Sequence, residues 1–231
     1  MGAQKWPPSP QRSDRPGGAV AALDNAIRSQ AVSGGPEMAS TPLPLVEKHL
    51  DGTATEYFGA EPDPAALEAL LREVFEGHWA EVIFGPCIQG AVFEGRFAGP
   101  PRVSMHDGYV TVQVEGSESW HFHLCIGPHR GSAGLPTPPE LAAWRRCARA
   151  AFFRGLDREG RPGSWGFRMW NGRDEQMITV FFPNPWLDPS RTRFVATPDW
   201  TRLDLWMRMR NRFAGIPPEP APVGAEPPRT H

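Results

Sequence analysis

The sequence predicts an α+β fold: a mostly antiparallel sheet of about six to seven strands with two or three helices packed on one face. Three observations lead there. Helical periodicity is confined to a few capped segments, and between them lie alternating or continuous apolar runs of strand length. Short loops join those runs, which makes hairpins and therefore antiparallel pairing. Apolar residues are 40% of the chain and charged residues 22%, the balance of a globular protein.

The elements follow in order. Residues 1–44 are rich in Pro, Gly, Ser and Ala, so they are expected to form a disordered extension. A marginal helix fits between Ala19 and Gln30. Met38 reads as a second start, which makes the residues before it expendable. A single α+β domain is expected over residues 45–216. Its first helix opens with Asp63 as cap and Pro64 at the first helical position. Leu67, Leu70, Leu71, Val74 and Phe75 then form one apolar stripe, and Gly77 stops it. Strand-like runs follow over 81–84, 88–97, 103–105, 109–115 and 119–126. The last two form a hairpin through Gly116-Ser117-Glu118, with Gln113 opposite His121 and Thr111 opposite His123.

A capping box predicts a second helix: Thr137 as cap, Pro138 first, Glu140 third. Leu141, Trp144, Ala148, Ala151 and Phe152 would be its buried stripe, and Gly155 its end. Segments 164–170 and 176–182 make another hairpin, in which Asn171-Gly172 supplies the positive φ of a tight turn. Pro183-Asn184-Pro185 forms a stiff corner fit to rim a pocket. Thr197-Pro198 opens a third helix carrying Leu203, Trp206 and Met207 and closing near Gly215. Residues 217–231, proline-rich and without core residues, are expected to be a disordered tail.

Composition excludes several classes of function. The net charge is −2 and the pI about 6.4, so no global field draws the protein to nucleic acid or an anionic membrane. Lys5 and Lys48 are the only lysines. Arginine excess beside abundant Ala, Gly and Pro follows from GC-rich coding and carries no functional weight. Cys87, Cys125 and Cys147 cannot all pair within one chain, which fits a reducing compartment. The apolar stretch near Ala19 is broken by Asp24, unlike a signal peptide, and no run is long enough to span a membrane. A cytoplasmic protein with a small-molecule partner is the expectation.

One segment concentrates reactive side chains. In a strand over Trp120–Ile126, His121, His123 and Cys125 share one face, about 7 Å apart by the strand rise. Trp120, Phe122, Leu124 and Ile126 fill the other. Two imidazoles and a thiol are ligands for a transition metal, iron or zinc. His129 in the following loop and His106 before the preceding strand are candidates to complete the set. With an open coordination position the site would activate water or dioxygen. A metal or haem carrier without catalysis is the alternative.

The segment from Gly116 to Gly127 resembles the histidine-triad motif of nucleotide hydrolases and transferases, with Cys125 where that motif has its third histidine. The resemblance implies His123 as a nucleophile toward an α-phosphate, without metal.

Arginines supply a second set of candidates. Arg145 and Arg149 fall one turn apart on the exposed side of the predicted second helix, able to hold a carboxylate or phosphate. Arg168 points to a sheet face beside Gly166 and Trp170, where it needs a partner: an acid such as Glu175, or an anionic ligand such as a haem propionate. Trp170, Trp186, Trp200 and Trp206 are fit to fill the core or to floor a pocket for a flat ligand.

Overall fold

The computed structural model describes residues 44–88, 90–115, 119–188, 190–220 and 226–228. The expectations for residues 1–43, including the helix near Ala19 and the start at Met38, lie outside them, as do the Gly116-Ser117-Glu118 loop and parts of the tail. In chain order the elements are β1 (Leu45–Lys48), β2 (Ala54–Ala60), α1 (Pro64–Arg72, widening into a π turn over Glu73–Gly77), β3 (Ile83–Gly85), β4 (Cys87–Ile88), β5 (Ala91–Val92), β6 (Arg102–His106), β7 (Tyr109–Val114) and β8 (Trp120–Cys125). There follow β9 (Gly131–Ser132), β10 (Leu135–Pro136), α2 (Pro139–Arg145), β11 (Cys147–Leu156), β12 (Pro162–Asn171), β13 (Gln176–Phe181), a 3₁₀ turn over Trp200–Leu203 and α3 (Asp204–Ala214).

The α+β expectation holds. Six strands form the large sheet in the order β1-β2-β11-β12-β13-β3, antiparallel throughout. A second sheet, β6-β7-β8, and two two-stranded ribbons, β4-β5 and β9-β10, complete the set. One core joins the two main sheets to α1 and α3. Phe58, Phe152, Phe167, Met169 and Val180 come from the large sheet, Val110, Val112 and Leu124 from the small one, the Leu67–Phe75 stripe from α1, and Trp206 and Met209 from α3. The opposite face of the large sheet carries a smaller cluster of Tyr57, Ala151, Phe153 and Trp170. Alternation along β11 and β12 assigns residues to these two faces.

Local signals explain α1 and α3. The Asp63 carboxylate accepts from the Ala65 and Ala66 N–H groups at 3.0 and 2.9 Å, as a cap should. Asp199 takes the same part before the 3₁₀ turn by accepting from Thr201 N–H. Gly215 ends α3 at φ 67°, a left-handed conformation that costs glycine little. No helix among the described residues is long and apolar enough to cross a membrane.

Three expectations are corrected. The predicted second helix stops at Arg145, and Cys147–Leu156 is instead a strand between β2 and β12. Its apolar run is buried on both faces, a pattern that a buried helix shares. Thr137 is not the cap of α2; that position is Pro138, and the Thr137 hydroxyl bonds the His129 ring. The β12–β13 loop runs over 172–175, with the positive φ at Asp174 (58°). There Asn171 Oδ1 accepts from the Arg173 and Glu175 N–H groups. Gly172 serves a different need, since a Cβ on it would sit 2.2 Å from the Ala143 carbonyl oxygen.

Candidate functional site

The β7–β8 hairpin has the register the pattern requires: Gln113 pairs with His121 and Thr111 with His123. Val110, Val112 and Leu124 are buried on one face, so His121 and His123 stand exposed on the other. Their ring centroids are 4.9 Å apart. Thr111 Oγ1 meets His123 Nδ1 at 2.8 Å, which fixes the ring and leaves its Nε2 without a hydrogen bond among the described residues.

Cys125 does not join this pair. Its side chain is buried, with Sγ 3.7 Å from the Gly127 carbonyl oxygen. Burial pushes the thiol pKa up, and the Tyr109 hydroxyl and the arginines Arg145 and Arg146 offset this only in part. His129 lies further along, its ring 4.8 Å from that of Tyr109 and its Nε2 3.5 Å from the Asp107 carboxylate. His106 is exposed opposite Tyr109 in the β6–β7 pairing. Among the described residues, no group of three or more His, Cys, Asp or Glu side chains is arranged to hold a metal ion. The protein therefore presents an imidazole pair, and beside it His129, whose Nδ1 is hydrogen-bonded to Thr137 and whose Nε2 faces the Asp107 carboxylate.

The arginines part company because the predicted helix is broken. Arg145, at the end of α2, acts on the Tyr109 hydroxyl and the Cys125 thiol. Arg149, on β11, lies 3.4 Å over the Trp170 ring and pairs with Asp174 at 2.6 Å.

Arg168 is the more informative. From mid-β12 it points, as alternation predicts, to the face opposite the main core. Its Nε–H donates to Thr179 Oγ1 at 3.0 Å and its Nη1–H to the Tyr57 hydroxyl at 2.7 Å. Its guanidinium carbon lies 4.8 Å from the Phe153 ring centroid and 5.9 Å from those of Tyr57 and Trp170. Both hydrogen-bond partners are neutral: burial pushes the Tyr57 pKa up, so no phenolate supplies a counter-charge. No carboxylate lies within ion-pair distance of Arg168 among the described residues. Glu175 instead accepts from Trp144 Nε1 and Asn171 Nδ2.

Residues 44–215 match the model of a protein family described as "Family of unknown function (DUF7676)". The chain belongs to that family. No curated protein matches this DUF7676 member. The crystal structure of ChuX is loosely similar to it, with a TM-score of 0.39 and 12% identity over 74% of this chain and 79% of that one. A likeness so slight says nothing of ligand or activity.

In this DUF7676 protein both tyrosines stand at the candidate sites, Tyr57 under Arg168 and Tyr109 between Cys125 and His129. Sequence reasoning passed over both. Tyr109 was open to discovery, since alternation puts it on the face of Thr111 and Gln113. Tyr57 was not, because 111 positions separate it from Arg168 and only sheet order brings them together.

Proposed function

We propose that this protein binds a flat, anionic small molecule on the aromatic face of the large sheet, with Arg168 as the anion's partner, and that it acts as a carrier rather than a catalyst. One observation carries this reading: a half-buried guanidinium set among three aromatic rings and held by neutral groups alone. The Glu47 carboxylate reaches this cation only through the Tyr57 hydroxyl, which leaves part of its desolvation cost unmet, and a carboxylate-bearing ligand would remove that cost. The rings of Trp170, Tyr57 and Phe153 are buried and hold the guanidinium by cation–π contact, so a ligand would meet the arginine at the edge of this aromatic cluster. A dicarboxylate tetrapyrrole has this chemistry, so haemin and metal-free protoporphyrin are the probes. Titration of the full chain, followed by absorbance and tryptophan quenching, should give saturable binding of both. Arg168→Met should weaken it about tenfold to a hundredfold, the value of one charge-assisted hydrogen bond. Equal binding by wild type and Arg168→Met would overturn the reading.

The His121–His123 pair favours a second reading, a divalent metal chelated in cis by two imidazoles, with its other positions left to water or a small ligand. Zinc or iron is the candidate. Metal analysis of untagged protein tests it: a stoichiometric ion lost in both His121→Ala and His123→Ala supports it, and under about a tenth of an equivalent in the wild type counts against it. Porphyrin binding that survives both histidine variants keeps the two readings apart.

A further inference from the structure

A cavity of about 720 Å³ opens between the segment that follows β13, the start of α3 and the turn after α1. The Pro183 and Pro185 corner forms part of its wall. Three arginines enter it from different elements: Arg191 from the loop, Arg202 from the 3₁₀ turn and Arg208 from α3. None of the three has a carboxylate within ion-pair distance among the described residues. Arg191 donates to the Ala80 carbonyl at 2.6 Å, and Arg202 to the carbonyls of Leu187 and Asp188. Arg208 meets His78 Nε2 at 3.3 Å, while His78 Nδ1 meets the Glu81 carboxylate at 2.6 Å.

Three of the four acids of the cavity are already engaged. Asp188 accepts from Ser190, Thr192 and Arg193 and so builds the loop, Asp199 caps the 3₁₀ turn, and Glu81 holds His78. The fourth, Asp204, stands in the first turn of α3 with no side-chain hydrogen bond or ion pair among the described residues. Around Arg191 the positive groups prevail. Burial lowers its pKa first, the charges of Arg96 and Arg202 lower it further, and Glu81 alone opposes them. Arg191 is also held at φ 60°, a left-handed conformation unfavourable to any side chain with a Cβ. Glycine would fit there without strain, yet the position carries an arginine aimed into a cavity.

We infer that this cavity is an oxyanion site, in which Arg191 and Arg202 grip a phosphate or carboxylate group of a small metabolite and Arg208 leaves His78 to close on it. Guanidinium forks suit either group. The cavity is of the size that small-ligand sites occupy, so the anionic group would be one end of a larger molecule. The site is separate from the Arg168 face and does not depend on it.

Calorimetric titration of the full chain at low ionic strength, with inorganic phosphate, pyrophosphate and citrate, tests the inference. Saturable binding of at least one is expected, and whether phosphates or citrate bind tells which group the site takes. Arg202→Gln and Arg191→Gly should each weaken it about tenfold or more. Arg191→Gly is the sharper variant: it relieves the backbone, so it should melt no lower than the wild type while losing the ligand. Arg102→Gln, an exposed arginine on β6, should bind as the wild type does. Absence of saturable binding by all three anions, or equal binding by Arg191→Gly and wild type, would overturn the inference.

Discussion

Arg210 has no solvent exposure, and its charge is met by the Glu219 carboxylate at 2.7 Å and the Pro217 carbonyl at 3.0 Å. Its guanidinium packs against Phe58 and Trp206, and its Nε–H finds no partner among the described residues. Removing the acid would leave a buried cation uncompensated. Burial raises the Glu219 pKa, but Arg210 and Arg154 outweigh it and hold the carboxyl below its ordinary 4.5. A depressed folded-state pKa stabilises the fold above the unfolded value, and that stability is lost as pH falls through the lower folded value. Glu219→Gln should therefore cost roughly 2 kcal/mol at neutral pH. The gap from wild type should narrow once pH falls below the ordinary carboxylate value and close only when the lower folded value has been passed, as urea unfolding at several pH values would show. A cost that stays constant with pH would contradict the ion-pair account. The thiols yield a second prediction. Burial pushes Cys147 up to about 11 and raises Cys87 and Cys125 as well. At neutral pH all three should be protonated and slow toward a thiol-disulfide reagent until denaturant is added, with Cys147 the slowest.

At the scale of elements, β11 shows what one sequence can and cannot disclose. The stripe of α1, the register of β7 with β8 and the glycine stop of α3 depend on residues close in sequence, and all were legible. The Ala-rich run at Cys147–Leu156 was not. Its conformation is decided by β2 and β12, which pair with it from both sides, and such pairing overrides a weak helical preference. The candidate sites divide the same way. Strand alternation disclosed the His121–His123 pair and the outward aim of Arg168, whereas the burial of Cys125 and the neutral partners of Arg168 come from other strands. Gly166 is another long-range requirement. A Cβ there would lie 2.2 Å from Phe153 Cε1 and 2.6 Å from the Val180 carbonyl oxygen. Phe153 cannot simply swing aside, because Arg168 lies over its ring. Gly166→Ala should destabilise by about 2 kcal/mol, as overpacking does, and Phe153→Leu in the same chain should recover part of it. An alanine that costs nothing in denaturant unfolding would mean that the β11–β12 register differs from the one described.

Across the whole molecule, two sheets of different size share one core, and a single ring makes much of the junction. Phe75, in the π turn that ends α1, has no solvent exposure. Its centroid is 5.4 Å from that of Phe84 in the large sheet, 5.6 Å from Phe97 and 5.8 Å from Phe122 in the small one. Phe84 in turn stacks on Phe97 at 4.5 Å. Apart from Cys125, the small sheet buries the side chains of one face, and that face rests on this aromatic group and on α1. Three strands without such packing are marginal in water. The small sheet should therefore have no stability of its own, and its opening should cost nearly as much as global unfolding. Phe75→Ala removes the ring at the junction and should cost about 3–5 kcal/mol. The loss should appear equally in both sheets, as a single unfolding transition with hydrogen-exchange protection falling together in β7, β8, β11 and β12. If exchange in β7 and β8 rose while β11 and β12 stayed protected, the small sheet would be a separately opening unit. The His121–His123 face would then sit on a part of the molecule that opens alone.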